Sequence, residues 1–105
     1  MADFVSVGKL TDFPSGLMRA REVDGQSVVV LNLKGNLHCF SNVCPHAEGV
    51  ITEGYVRGDE VVCIYHGAVF DIATGKVNAG VAPRPLPVYA VRVQDNDVQV
   101  RLAND

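Results

Sequence analysis

The sequence predicts an all-β fold of antiparallel sheets, and three observations carry that prediction. No stretch of useful length repeats its apolar residues at helical spacing. Short runs of β-branched and apolar residues recur instead along the chain. The segments between those runs carry turn chemistry, namely Asp24 with Gly25, Lys34 with Gly35 and Asn36, Gly58 with Asp59, and Asp95 with Asn96. At 105 residues the chain forms a single domain, 1–105.

Taken in order, residues 4–7 alternate as a short first strand that ends at Gly8, and Phe13, Pro14, Ser15 and Gly16 punctuate the chain after it. Residues 17–23 form the next strand. Asp24 and Gly25 make a two-residue hairpin turn, because both tolerate positive φ. Residues 27–33 are β-branched and apolar, with the concentrated run at 28–31, and a central strand buried on more than one side is expected. After the turn at 34–36, residues 37–40 return as a strand. Residues 43–53 read as a loop tightened by Pro45 and Gly49. A hairpin follows, with strands at 55–56 and 60–64 around Arg57, Gly58 and Asp59. A second loop occupies 65–68, and residues 69–71 start a strand that turns at Ala73, Thr74 and Gly75. The stretch 80–87 contains Pro83, Pro85 and Pro87 and is no regular strand, since proline lacks the amide donor a ladder needs. Residues 88–94 and 97–102 pair as a terminal hairpin with Val91 and Val93 on one face.

Composition narrows the function. Hydrophobic residues make up 48% and charged residues 20% of a chain with net charge −3, which fits a globular protein without a basic stripe for nucleic acid. An acidic carrier suits a basic partner surface instead. No apolar run approaches the roughly 20 residues of a membrane span, and the first residues lack a basic, apolar leader. A monomeric cytoplasmic protein is expected. Three cysteines with two in a metal pattern leave no sensible disulfide.

That metal pattern is the chemical centre of the sequence. Cys44, Pro45 and His46 form a C-x-H pair, and Cys63, Ile64, Tyr65 and His66 form a C-x-x-H pair sixteen residues further on. Soft thiolates and imidazoles at loop spacing suit a metal. Small neighbours, Ala47 after the first pair and Gly67 and Ala68 after the second, let backbone amides approach whatever is bound. Zinc also accepts two cysteines and two histidines, but its pairs usually combine like with like, whereas each pair here is mixed. Cys39 reads as a small core residue, His38 as a surface or edge residue, and Tyr55 and Tyr65 as packing residues. Ser-His-Asp sets, phosphate loops and dinucleotide fingerprints do not occur.

These pairs, with Asn42 and Val43 before them and Phe70, Asp71, Thr74 and Gly75 after, resemble the Rieske family signature, C-x-H followed by C-x-x-H-G. The resemblance implies the Rieske fold: a base at about 1–41 and 83–105 with an inserted cluster-binding lobe at about 42–82. It also implies a 2Fe-2S cluster with Cys44 and Cys63 on one iron and His46 and His66 on the other. Pro45, Ala47, Tyr65, Gly67, Ala68 and Pro83 are the expected neighbours of that cluster or of a docking partner. With all four ligands supplied by the protein, no position stays open for substrate, so the chain is expected to carry electrons and not to be an enzyme. The implied partners are an NAD(P)H-dependent flavoprotein reductase and a terminal ring-hydroxylating oxygenase. A small subunit of another redox enzyme, such as nitrite reductase, shares the fold.

Two thiolates and two neutral imidazoles leave an oxidised Fe2S2 core near zero charge, so such centres span about −150 to +300 mV, against about −400 mV for all-cysteine plant-type ferredoxins. High-potential relatives carry a disulfide between the ligand loops and a serine after the His-Gly pair. Gly49, Tyr65 and Ala68 supply neither, which predicts a potential near −150 mV in order of magnitude. Histidine ligation also implies a midpoint that falls at alkaline pH. Ile64 stands where the family commonly has proline, a departure that bears on loop stiffness and not on ligation.

Overall fold

The computed structural model describes residues 3–44, 49–64, 67–80 and 84–102. Ten strands lie among them, with two short 3-10 turns, Leu10–Asp12 and Ile51–Glu53, as the remaining regular elements. They build two antiparallel sheets. The larger holds β1 (Val5–Lys9), β2 (Met18–Val23), β3 (Gln26–Leu33), β4 (Asn36–Ser41), β9 (Val88–Gln94) and β10 (Asp97–Arg101), in the order β1-β10-β9-β4-β3-β2. The smaller is a four-strand meander of β5 (Tyr55–Arg57), β6 (Glu60–Cys63), β7 (Ala68–Asp71) and β8 (Val77–Ala79).

The turns form for the reasons their residues suggest. Asp24 and Gly25 both take positive φ, 51° and 78°, between β2 and β3, and Asp95 and Asn96 do the same, at 51° and 68°, between β9 and β10. Such turns match the right-handed twist of the strands they join and set the register, Val23 opposite Gln26 and Asp97 opposite Gln94. In the larger sheet β1 and β2 are the two outer strands. Arg21 links them, because its Nε donates to the Val7 carbonyl at 2.9 Å while its guanidinium lies 5.0 Å from the Phe13 ring centroid. A charged donor thus fills part of a seam that no backbone ladder closes.

β3 is the strand on which both cores rest. Val28, Val29, Val30 and Leu31 are all fully buried, and alternation sends them to opposite faces. Val28 and Val30 join Phe13, Val23, Cys39, Val98 and Val100 in a core lined by the larger sheet. Val29 and Leu31 join Phe40, Ile51, Val61, Phe70, Ile72 and Leu86 in a second core that connects the two sheets. The expected double burial of 27–33 is found.

Several features differ from the sequence reading, and the first strand, expected to end at Gly8, runs on to Lys9. Strand β7 begins at Ala68, which pairs with Cys63, so the second loop lies one residue earlier than expected. The strand before it ends at Cys63 and leaves Ile64 in the turn. The outer strand β8 was not expected at all: it is three residues long, and its pairing with β7 is interrupted by an irregularity at Val69 and Phe70. Tyr55, read as a packing residue, is half exposed on the outer strand β5.

Candidate metal centre

Two strand ends carry the cysteine ligand candidates. Cys44 follows β4, and one buried polar residue fixes the chain on both sides of it. Asn42 receives the Ile51 amide on its carbonyl at 2.7 Å and the Thr52 amide on Oδ1 at 2.9 Å, and it donates from Nδ2 to Ser27 Oγ at 3.0 Å. Within that clamp Val43 bridges Val50, and the Cys44 amide donates to the Gly49 carbonyl at 3.1 Å. The two ends of the first loop are therefore tied together by backbone and side chain alike.

The second loop is a tight reversal. Cys63 ends β6 directly opposite Ala68, and the Gly67 amide donates back to the Cys63 carbonyl at 3.1 Å. Gly67 adopts φ +69°, a conformation that costs a residue with Cβ about 1–2 kcal/mol. A third segment closes over it. At Gly80, φ +82°, a Cβ would stand 2.8 Å from Ala68 Cα and 2.9 Å from the Gly67 carbonyl, so only glycine lets the two backbones approach this closely. Behind it Leu86 is buried in the shared core and donates its amide to the Gly75 carbonyl at 2.8 Å.

Cys44 and Cys63 are 2% and 1% exposed and belong to the same buried cluster, with Ile51, Ala68, Phe70 and Leu86 around them. Two cysteines distant in sequence thus share one apolar cluster. His46 and His66, and with them Pro45, Ala47, Tyr65 and Pro83, lie outside the described residues. Gly67 and Ala68 stand beside Cys63. Cys39 is set apart: it is buried in the other core, beside Tyr89, and burial pushes its thiol up to about 12. A thiol held neutral in an apolar core has no ligand character at ordinary pH. His38 is half-buried and faces a groove of about 140 Å³ shared with Leu33, Asp59, Asp71, Ile72 and Ala73. There Thr74 donates both its hydroxyl and its amide to Asp71, holding that carboxyl below the usual range.

The residue that sequence reasoning undervalued is Asn42. It was noticed as part of a motif, but its work is geometric, and the available signal was a lone amide between a buried strand and a ligand cysteine.

Two antiparallel sheets thus bury two cysteines in one apolar cluster. The description of the Rieske [2Fe-2S] domain matches residues 3–90, and the chain belongs to that family. The chain is 34% identical over 91 residues to the ferredoxin component of biphenyl 2,3-dioxygenase from Rhodococcus jostii (strain RHA1), covering 87% of this chain and 85% of that protein. Among solved structures, the ferredoxin of Sphingomonas yanoikuyae B1 superposes with a TM-score of 0.86 at 27% identity, over 94% of this chain and 98% of that one. A chain from the complex of reduced oxygenase and oxidized ferredoxin in carbazole 1,9a-dioxygenase superposes with a TM-score of 0.84 at 26% identity, over 91% of this chain and 99% of that one. These relatives are electron-carrying ferredoxin components and not catalytic ones, and the cofactor of the family is a Rieske-type 2Fe-2S cluster. The residues present suit it: two buried thiols share one apolar cluster, each on a closed loop whose sequence adds one histidine. Among the described residues no helix is long and apolar enough to cross a membrane.

Proposed function

We propose that this protein is the one-electron carrier between an NAD(P)H-dependent flavoprotein reductase and a terminal ring-hydroxylating oxygenase, working as a soluble cytoplasmic ferredoxin. Cys44 and Cys63 would hold one iron of its cluster, and His46 and His66 the other. When bound, the cluster supplies a one-electron couple at low potential, on the order of −150 mV. The observation that carries the reading is the burial of Cys44 and Cys63 in one apolar cluster at the ends of two short loops.

The two sheets support a division of labour. A base of about 1–41 and 83–105 gives rigidity, and a lobe of about 42–82 holds the ligands. Asn42 fixes the first loop, Gly67 and Gly80 allow the second loop and its cover to approach, and the apolar cluster behind both keeps water from the thiolates. Ala68 offers no hydroxyl beside Cys63, which leaves the reduced state less stabilised and supports the low potential.

The test is reconstitution. Purified protein is added to candidate reductases and candidate terminal oxygenases with NAD(P)H, and product formation is followed with and without it. The carrier reading requires turnover that depends on this protein in at least one pair; equal turnover in its absence for every pair would remove it. Dithionite bleaching of visible bands, with an EPR signal of low average g, separates a mixed His/Cys cluster from zinc.

A further inference from the structure

Three strands of the larger sheet, β1, β10 and β9, carry on their outer face a cluster that the metal centre does not use. Ser6 stands opposite Gln99 and Gln99 opposite Arg92, while Arg101 stands opposite Ala90, two residues from Arg92 along β9. Alternation puts Ser6, Asp97, Gln99, Arg101 and Arg92 on one side of these strands. Val98 and Val100 fall on the other side, in the core that does not contain Cys44 and Cys63. Both guanidiniums converge on one ring. Their carbons stand 4.0 Å, for Arg92, and 4.9 Å, for Arg101, from the ring centroid of Phe4, the residue before β1. Stacking on an aromatic face steadies a guanidinium plane and leaves its N–H edges free to donate.

A chain of hydrogen bonds fixes Arg92 further. Ser6 Oγ donates to Asp97 Oδ1 at 2.6 Å, Gln99 Nε2 donates to Asp97 Oδ2 at 2.8 Å, and Arg92 Nε donates to Gln99 Oε1 at 2.7 Å. Each carboxyl oxygen of Asp97 is thereby taken, and neither arginine forms an ion pair among the described residues. Arg101 Nε is shielded from solvent and has no hydrogen-bond partner among them. Two like charges held against one ring repel each other, and an anion shared between them removes that repulsion. A single carboxylate is satisfied by one planar fork. A phosphate dianion offers two charges and three acceptor oxygens, which match two forks.

We propose that Arg92 and Arg101, arranged by Phe4 and Gln99, bind a dianionic phosphate group on the outer face of the β1, β10 and β9 strands, as inorganic phosphate or as a phosphate monoester. The Nη atoms of the two arginines supply the donors, since Gln99 keeps Arg92 Nε. Phe4 orients both forks, and Gln99 holds one of them against the sheet. The site does not depend on the carrier reading, because its strands line the other core and none of its residues contacts the ligand loops through a described hydrogen bond.

The experiment is a proton–nitrogen correlation NMR titration of the cluster-loaded protein with sodium phosphate, chloride holding the ionic strength constant. The pH is about 7.5, above the second pKa of a phosphate monoester at about 6. Saturable shifts of the Nε–H signals of Arg92 and Arg101 are expected. Arg92→Gln and Arg101→Gln should each raise the Kd for phosphate about tenfold, as loss of one charge-assisted bond does. Arg19→Gln, which removes an exposed arginine from β2 at the far edge of the same sheet, should leave Kd unchanged. Titration with adenosine monophosphate identifies the source: an equal Kd assigns the site to the phosphate group alone, and a lower one to a nucleotide. Shifts that never saturate, or an equal loss of affinity in Arg19→Gln, overturn the proposal. If Arg101→Gln does not fold, Arg101→Lys, which keeps the charge and removes the fork, is measured against the same outcomes. The reconstitution assay tests the carrier reading separately, whichever way this titration falls.

Discussion

Replacing Gly75 by alanine isolates the contact that fastens the return segment of the chain over the ligand loops. Gly75 adopts φ +79°, and a Cβ there would overlap the Leu86 carbonyl oxygen. The left-handed conformation alone costs alanine about 1–2 kcal/mol. Separating the two backbones also removes the Leu86 amide bond to the Gly75 carbonyl, worth about 1 kcal/mol. Lifting Leu86, now 1% exposed, partly out of the shared core adds about 1 kcal/mol more. The sum is about 3–4 kcal/mol, and with a denaturant slope of about 1.5 kcal/mol per molar the urea midpoint falls by about 2 M. Gly58→Ala is the control, since Gly58 has φ +61° with open space where the Cβ would stand. It should lose only the conformational part, about 1 M or less of midpoint. Urea unfolding followed by far-UV circular dichroism gives the midpoint, and the decay of visible absorbance gives cluster retention. Equal midpoint losses for the two variants would refute the claim that backbone contact between Gly75 and Leu86 holds the segment in place.

Asn42→Ala removes the clamp at the first loop and leaves the Thr52 amide and the Ser27 hydroxyl without their side-chain partner; a stability loss of about 2–3 kcal/mol and faster cluster loss in chelator are expected, and retention at the parent rate counts against the clamp. Ala68→Ser places a hydroxyl in register with Cys63, and a bond favouring the reduced state by about 1.4 kcal/mol raises a one-electron midpoint by about 59 mV; a shift of zero or below in spectroelectrochemical titration contradicts this. Cys39 titrates at about 12 in the folded protein because it is buried, and near 8.5 or so when unfolded, so its neutral thiol stabilises fully below that lower value and its contribution is lost as pH rises toward 12. Over that window stability should fall by about 1.4 kcal/mol per pH unit, and Cys39→Ala should remove this part of the slope; an unchanged slope in urea unfolding across the alkaline range opposes the assignment.

Much of the architecture was legible because local chemistry and global fold agree. Asp24 with Gly25 and Asp95 with Asn96 announce their turns by tolerating positive φ, and the unbroken apolar run of 28–31 announces a strand with a core on each face. The mixed cysteine-histidine pairs point to a metal, and the Rieske [2Fe-2S] family match agrees with that. What escaped was whatever depends on partners distant in sequence. The strand β8 has too few residues to show a period and exists because β7 offers it an edge. Tyr55 has the residue type of a packing residue, yet it lies on an outer strand and is half exposed. Asn42 carries no periodic signal, and its three hydrogen-bond partners come from β3 and the turn at Ile51–Glu53.

A one-electron carrier whose low-potential cluster would be held by two cysteines and two histidines is tested by a spectroelectrochemical titration of the purified protein. Visible bands that bleach with one electron per chain at about −150 mV, with a midpoint that falls at alkaline pH, are the predicted result. A chain without visible bands, or a midpoint above about +100 mV, would contradict it.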